Sequence, residues 1–325
     1  MPEFWKTDIF KICAFVFGAI FIGAMLAPPF YWFGKSVVES GSLEGKSFLG
    51  IDLHDELERA SLARYFNRAM LLGALVCLWP TIRWLGAKPS EFLQLDPNPR
   101  RWRHLGVGFG LAAGGFLIMG LILYQIGVFG PKTKDQDPLF EVISASLISA
   151  FAVGFLEEFF FRGCLLGLAL RTTTRLKALI FVSVIFSALH FLKPPENTVY
   201  PDPVTWSSGF WLVGQIFAKF GNPVFFIAEF ATLTAVGWVL GYATLRTRSI
   251  YLAVGLHAGW VFGIKVYGGL TERVLKLEQT QPWIGQDLKS GVVALIMVGA
   301  TGALTWFWLN RFELGDRNRL RVASK

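Results

Sequence analysis

The chain has 325 residues, 53% of them hydrophobic, 15% aromatic and only 17% charged, with a mean hydropathy of +0.48. So few charges exclude an ordinary soluble domain and define an all-α polytopic membrane protein, a transmembrane helical bundle. The formal charge of +8 would suggest nucleic acid in a soluble domain. Here the basic residues gather in short loops and at the C-terminus, as topology-setting charges beside anionic lipid do, so the expected partner is membrane lipid and not nucleic acid.

Taken in order, the first apolar span covers residues 10–33 and is interrupted late by Pro28 and Pro29. It is too long for the core of a signal peptide and no small-residue cleavage site follows, so it reads as a membrane helix. A polar section, 34–64, includes a mixed-charge surface helix over 52–64, and a second span follows at 65–85. The connection 88–104 carries Lys88, Arg100, Arg101 and Arg103 with three prolines, the composition of a cytoplasmic loop. A glycine-rich third span, 105–129, is suited to close helix packing.

After a short polar loop at 130–138, the fourth span, 139–170, is longer than a bilayer needs. Arg171, Arg175 and Lys177 mark the next loop, and a fifth span, 178–192, ends in F-S-A-L-H-F-L. A proline-rich loop, 193–208, leads to a re-entrant or interfacial piece at 209–220. The sixth span, 223–245, contains Glu229 in a structural or cavity-facing role and is closed by Arg246 and Arg248. The seventh, 250–267, contains G-L-H-A-G-W-V-F. An amphipathic loop, a last span at 291–309 and a basic tail, 311–325, complete about eight spans.

Two parts are expected: N-terminal membrane spans over 1–104 with the polar 34–64 connection, and a bundle over 105–325. No internal repeat is evident. Cys13, Cys77 and Cys164 each lie in an apolar segment, and their spacing suggests packing, not a disulfide framework or a zinc ribbon. The charge bias places both termini inside, together with the 88–104 and 171–177 loops and the Arg246/Arg248 turn, in a bacterial cytoplasmic (inner) membrane.

Chemistry concentrates at residues 154–167, G-F-L-E-E-F-F-F-R-G-C-L-L-G. Ionised groups at membrane depth are costly, so Glu157, Glu158 and Arg162 must face a protein interior or a watery cavity and have partners. Glu158 and Arg162 stand at i and i+4, within pairing reach on one helix face. Glu157 sits about 100° round the helix from Glu158, so the two carboxylates can take different roles. By distance from the nearest inside loop, Glu157, His190 and His257 lie roughly 14–22 Å from that surface and can share a level.

One carboxylate and two histidines from three helices are the parts of a water-activating site. The same trio could hold zinc as a His-His-Glu set with an open fourth position. A lone histidine in such a span is more often a packing or hydrogen-bonding residue, and a Glu–Arg pair can simply join helices.

These residues carry a resemblance. E-E-F-F-F-R at 157–162 is similar to the E-E-x-x-x-R motif of the CPBP intramembrane proteases, the CAAX protease and bacteriocin-processing (Abi) family. F-S-A-L-H at 186–190 is similar to that family's F-x-x-x-H motif. G-L-H-A-G-W-V at 255–261 resembles its H-x-x-x-N/D motif, preceded by a turn of the type R-T-R-S-I. The resemblance covers about residues 139–267. It implies an intramembrane endopeptidase with Glu157 as general base, Glu158 and Arg162 as its support, and His190 as partner in activating water. His257 would help stabilise the oxyanion, and the substrate would be a peptide or protein at the membrane.

Position 261 departs from the motif, because valine offers no donor. The resemblance leaves metallo and glutamic chemistry both open. Val261 leaves the site short of polar groups, so the expectation leans to no tightly bound ion. A non-catalytic scaffold, immunity factor or sensor that keeps the fold is the main alternative. A proton-coupled transporter is a third, weakened by the lack of inverted repeats.

Overall fold

The structure, a computed structural model, describes residues 8–48, 51–86, 98–133, 138–191, 198–218, 223–285 and 288–313. The greater part of the basic tail, residues 88–97 of the loop expected to be cytoplasmic and 193–197 of the proline-rich loop lie outside the described residues.

The chain is all-α. In order it forms α1 (Asp8–Glu39), β1 (Ser47–Phe48), β2 (Ile51–Asp52), α2 (Leu53–Glu58), α3 (Leu62–Trp84), α4 (Arg101–Gln125), β3 (Phe129–Pro131) and α5 (Leu139–Glu158). A π-helical segment, Phe159–Leu165, continues α5 into α6 (Leu166–Thr172). Then come α7 (Arg175–His190), α8 (Ser208–Ala218), α9 (Pro223–Thr247), α10 (Tyr251–Leu270), β4 (Thr271–Arg273), α11 (Leu277–Thr280) and α12 (Val292–Trp308), which ends in a second π turn, Leu309–Glu313. The strands form two small antiparallel pairs, β1 with β2 and β3 with β4.

Among the described residues, six helices are long and apolar enough to cross a membrane: Phe10–Glu39, Leu62–Trp84, Arg101–Gln125, Leu139–Thr172, Ile227–Thr247 and Val292–Glu313. The protein is an integral membrane protein. The expected fifth and seventh spans are helices, α7 and α10, but they are not among the six. Helix α7 has only 16 residues. In α10, His257, Lys265 and several glycines dilute the apolar content, and much of the helix is buried inside protein.

The chain divides into two compact units, Met1–Phe92 with Ala188–Pro223, and Leu93–Ser187 with Val224–Lys325. In the first unit α1 runs straight through Pro28 and Pro29, which the sequence reading treats as an interruption. The prolines lack N–H groups, so the Ala24 and Met25 carbonyls lose their helical donors. Gly209 of α8 sits directly on the Ala24 carbonyl, where any Cβ would collide. The core of this unit is Ala24, Ala27, Leu62, Ala63, Phe66, Leu212 and Ile216, shared by α1, α3 and α8. The expected surface helix over 52–64 is shorter, because α2 ends at Glu58 and α3 begins at Leu62. Asp52 caps α2, accepting from the backbone N–H groups of His54 and Asp55.

In the second unit α10 is the central element. Its glycines let backbones touch: a Cβ at Gly255 would strike the Leu105 carbonyl of α4, and one at Gly259 would lie 2.6 Å from the Phe109 carbonyl. On another side, Gly154 of α5 faces the Ala258 N–H and the Val254 carbonyl. Helix α9 packs against α7 through Gly237 on Ser183 and Gly241 on Leu179. The end of α12 is fixed by a polar knot. Glu313 meets Arg100 Nη1 at 3.0 Å, Arg103 Nη1 at 3.4 Å and His104 Nε2 at 3.1 Å. The amide of Asn98 lies 2.9 Å from Nδ1 of the same histidine. His104 therefore serves the fold.

Candidate active site

The helix from Leu139 to Thr172 has 34 residues. At 1.5 Å per residue it is roughly 50 Å long, well beyond the ~30 Å hydrocarbon core. Within it the backbone widens from α to π geometry at Phe159, one residue past the glutamate pair, and stays wide through Arg162. Such wide turns are rare and recur at functional sites.

Glu158 and Arg162 are both fully buried, and the Arg162 Nη1 group donates to Glu158 Oε1 at 2.7 Å. The arginine also donates from Nη2 to the Gly237 carbonyl of α9 at 3.2 Å. Its guanidinium lies 4.4 Å from the centre of the Phe186 ring, a cation–π contact. Phe186 is the first residue of the F-S-A-L-H segment, and its edge is turned to the His257 ring at 6.1 Å. The expected i, i+4 pair is thus present and tied to α7 and α9 as well.

The sequence reading gave Glu158 to the arginine alone. In the structure the same oxygen, Oε1, is also 2.8 Å from Nδ1 of His257. A carboxylate shared with a guanidinium accepts, so Nδ1 carries the hydrogen, and Nε2 is turned to the other side of the ring. There Nε2 lies 3.9 Å from Glu157 Oε2. The imidazole stands between the two glutamates. Packing of α10 on α5 at Gly154, a feature of the bundle with no trace in the motif, produces this contact.

The two carboxylates have different surroundings, as their spacing implies. Glu158 is fully buried, whereas the Glu157 side chain is 29% exposed and the His257 side chain 7%. The gap between Nε2 and Oε2 is too long for a direct hydrogen bond. Val261 is half-buried on α10, one turn after His257. His190 is the last residue of α7, one turn after Phe186 and half-buried. It belongs to the first unit. Glu229 is half-buried on α9.

Zinc requires three protein ligands at a catalytic site. Within the second unit Glu157 Oε2 and His257 Nε2 face each other at 3.9 Å, while Nδ1 is engaged by Glu158. That pair does not by itself complete a zinc site. Among the described residues, one group of three candidate ligands clusters within 4.8 Å, His54, Asp55 and Glu58 on α2, apart from this chemistry. The three cysteines are free thiols, and Cys164 is buried beside Arg162 in sequence without entering its hydrogen bonds.

Residues 139–263 match the family model described as type II CAAX prenyl endopeptidase Rce1-like. Over these residues the chain is similar to that family. The matched stretch begins at the first residue of α5 and ends within α10, so it includes Glu157, Glu158, Arg162, His190 and His257. It is the stretch over which the motifs resemble the CPBP proteases, and the similarity points to a CAAX protease-like hydrolase at the family level only. No curated protein matches the chain.

Proposed function

We propose that this Rce1-like protein is an intramembrane endopeptidase that hydrolyses peptide bonds beside or within the bilayer by way of a glutamate-activated water. One observation carries the reading: His257 Nδ1 bonds to Glu158, and its Nε2 faces the more exposed Glu157. Glu157 takes a proton from water, and the oxygen adds to the scissile carbonyl carbon. The proton then passes to the leaving amine. His257 is held in one orientation by Glu158, itself fixed by Arg162, and it contacts the water or the developing oxyanion. The motif resemblance gives His190 the role of second partner in activating water. No ion enters this scheme, since the carboxylate and imidazole suffice for proton transfer.

The substrate is a peptide or protein segment at the membrane, and the family description makes a prenylated cysteine terminus the first to try. Both termini are cytoplasmic, as the basic loops and tail imply. A second reading rests on Val261, which removes a polar group from the third motif: a scaffold or sensor that retains the fold without turnover. The experiment is cleavage of fluorescence-quenched peptides by purified protein in detergent, with and without a farnesylated cysteine. Turnover is the expected result. Intact peptides after prolonged incubation would favour the scaffold.

A further inference from the structure

Two buried groups near Val261 have no hydrogen-bond partner: the Trp260 indole Nε1 and the Thr234 hydroxyl. Trp260 is 4% exposed. A buried indole N–H ordinarily finds an acceptor, and leaving one bare costs about 1–3 kcal/mol.

Helix geometry relates both groups to the candidate site by their positions along α9 and α10. Trp260 follows His257 by three positions and Val261 by four, so they point about 60° to one side and 40° to the other. Val254 and Ala258, on the Val261 side, meet Gly154 of α5. Leu256 and Trp260, on the other side, belong to the buried cluster that also holds Leu240 and Ala243 of α9. His257 looks out between them.

On α9, Thr234 precedes Gly237 by three positions, and the Gly237 carbonyl accepts from Arg162. A short turn after Thr247 joins α9 to α10, so the two helices run in opposite directions. Moving from Gly237 to Thr234, or from His257 to Trp260, leads away from that turn by about 4.5 Å in each case. The indole and the hydroxyl therefore share a level, one turn beyond the His257–Glu158–Arg162 contact.

We infer that Trp260 Nε1–H, with the Thr234 hydroxyl beside it, donates to the scissile carbonyl oxygen and supplies the contact that Val261 cannot. This rests on the proteolytic reading. As water adds to the carbonyl carbon and its proton goes to Glu157, the C=O π pair moves onto oxygen. The alkoxide so formed accepts from the indole and the hydroxyl, and neither gives up its proton. A donor aimed at the charge that develops in the transition state acts on kcat more than on KM.

The test uses full-length protein in detergent and a fluorescence-quenched peptide pool, farnesylated and plain. Trp260→Phe keeps an aromatic ring and removes the donor. It should lower kcat roughly 100-fold with KM nearly unchanged, and Thr234→Val should lower it about 10-fold. Adding Val261→Asn to the Trp260→Phe protein should restore at least a tenth of the wild-type rate. A Trp260→Phe enzyme within twofold of wild type overturns the inference and leaves proteolysis standing. So does a loss that Val261→Asn fails to repair, which assigns Trp260 to packing. If wild type is silent and Val261→Asn alone awakens it, the native donors do not serve and the inference falls. Silence of both proteins removes the proteolytic reading itself, and this inference with it.

Discussion

His257 and Glu158, 99 residues apart in sequence, share a hydrogen bond of 2.8 Å in the buried centre of the second unit. The same glutamate oxygen receives Arg162 at 2.7 Å, so one carboxylate holds a cation on its own helix and an imidazole from another. This makes Glu158 a positioning residue, and it makes the pair sensitive to the loss of either partner.

Removing the Glu158 charge should be costly. Glu158→Gln leaves Arg162 buried without its counter-ion, a change worth about 3–5 kcal/mol in other proteins. Glu158→Gln/Arg162→Met should recover part of that loss, because no uncompensated charge remains. The check is thermal unfolding in detergent of the two single variants and the double. Losses that simply add would mean that the two side chains are not coupled.

The glycine contacts make a second prediction. Gly255→Val places side-chain atoms against the Leu105 carbonyl and the Phe109 N–H of α4. It should separate α10 from α4 and destabilise the fold by roughly 1–3 kcal/mol or more. Gly106→Ala, on the same interface helix but facing open space, should instead be neutral or stabilising by up to about 1 kcal/mol. Unfolding temperatures of both variants decide it, and an unaffected Gly255→Val protein would refute this packing.

A third prediction concerns metal. Protein washed with a strong chelator should keep its peptidase rate, since the proposed proton transfer needs only the Glu157 carboxylate and the His257 imidazole, 3.9 Å apart. Elemental analysis beside the assay is the measurement. One zinc per chain, lost together with activity and restored with it, would assign the chemistry to a metal centre.

Much of this arrangement is legible in the sequence, because the relevant rules are local. Apolar runs give the helices, and the i, i+4 spacing gives the Glu158–Arg162 pair. The bond from Glu158 to His257 is not legible, since it depends on Gly154 letting α10 close on α5. The π segment at Phe159–Leu165 has no composition of its own to announce it. Helices α7 and α10 fall short of the length or apolarity of the other spans, since α7 has only 16 residues and α10 carries His257, Lys265 and several glycines. His104 shows the opposite case: expected in a polar loop, it is buried against Glu313 once α4 is seen to begin at Arg101. The bare indole of Trp260 reads in sequence as one more apolar aromatic residue, and only its burial without an acceptor marks it.

The most direct test of the account is the rate of Glu157→Gln. The amide keeps the shape of the side chain, which is 29% exposed, so the fold should tolerate the change. Turnover of the quenched peptides should fall by about 10²–10⁴, the usual contribution of a general base, while the unfolding temperature stays within a degree or two. A glutamine variant that folds normally and retains a tenth or more of the wild-type rate would contradict the assignment of Glu157 as the base.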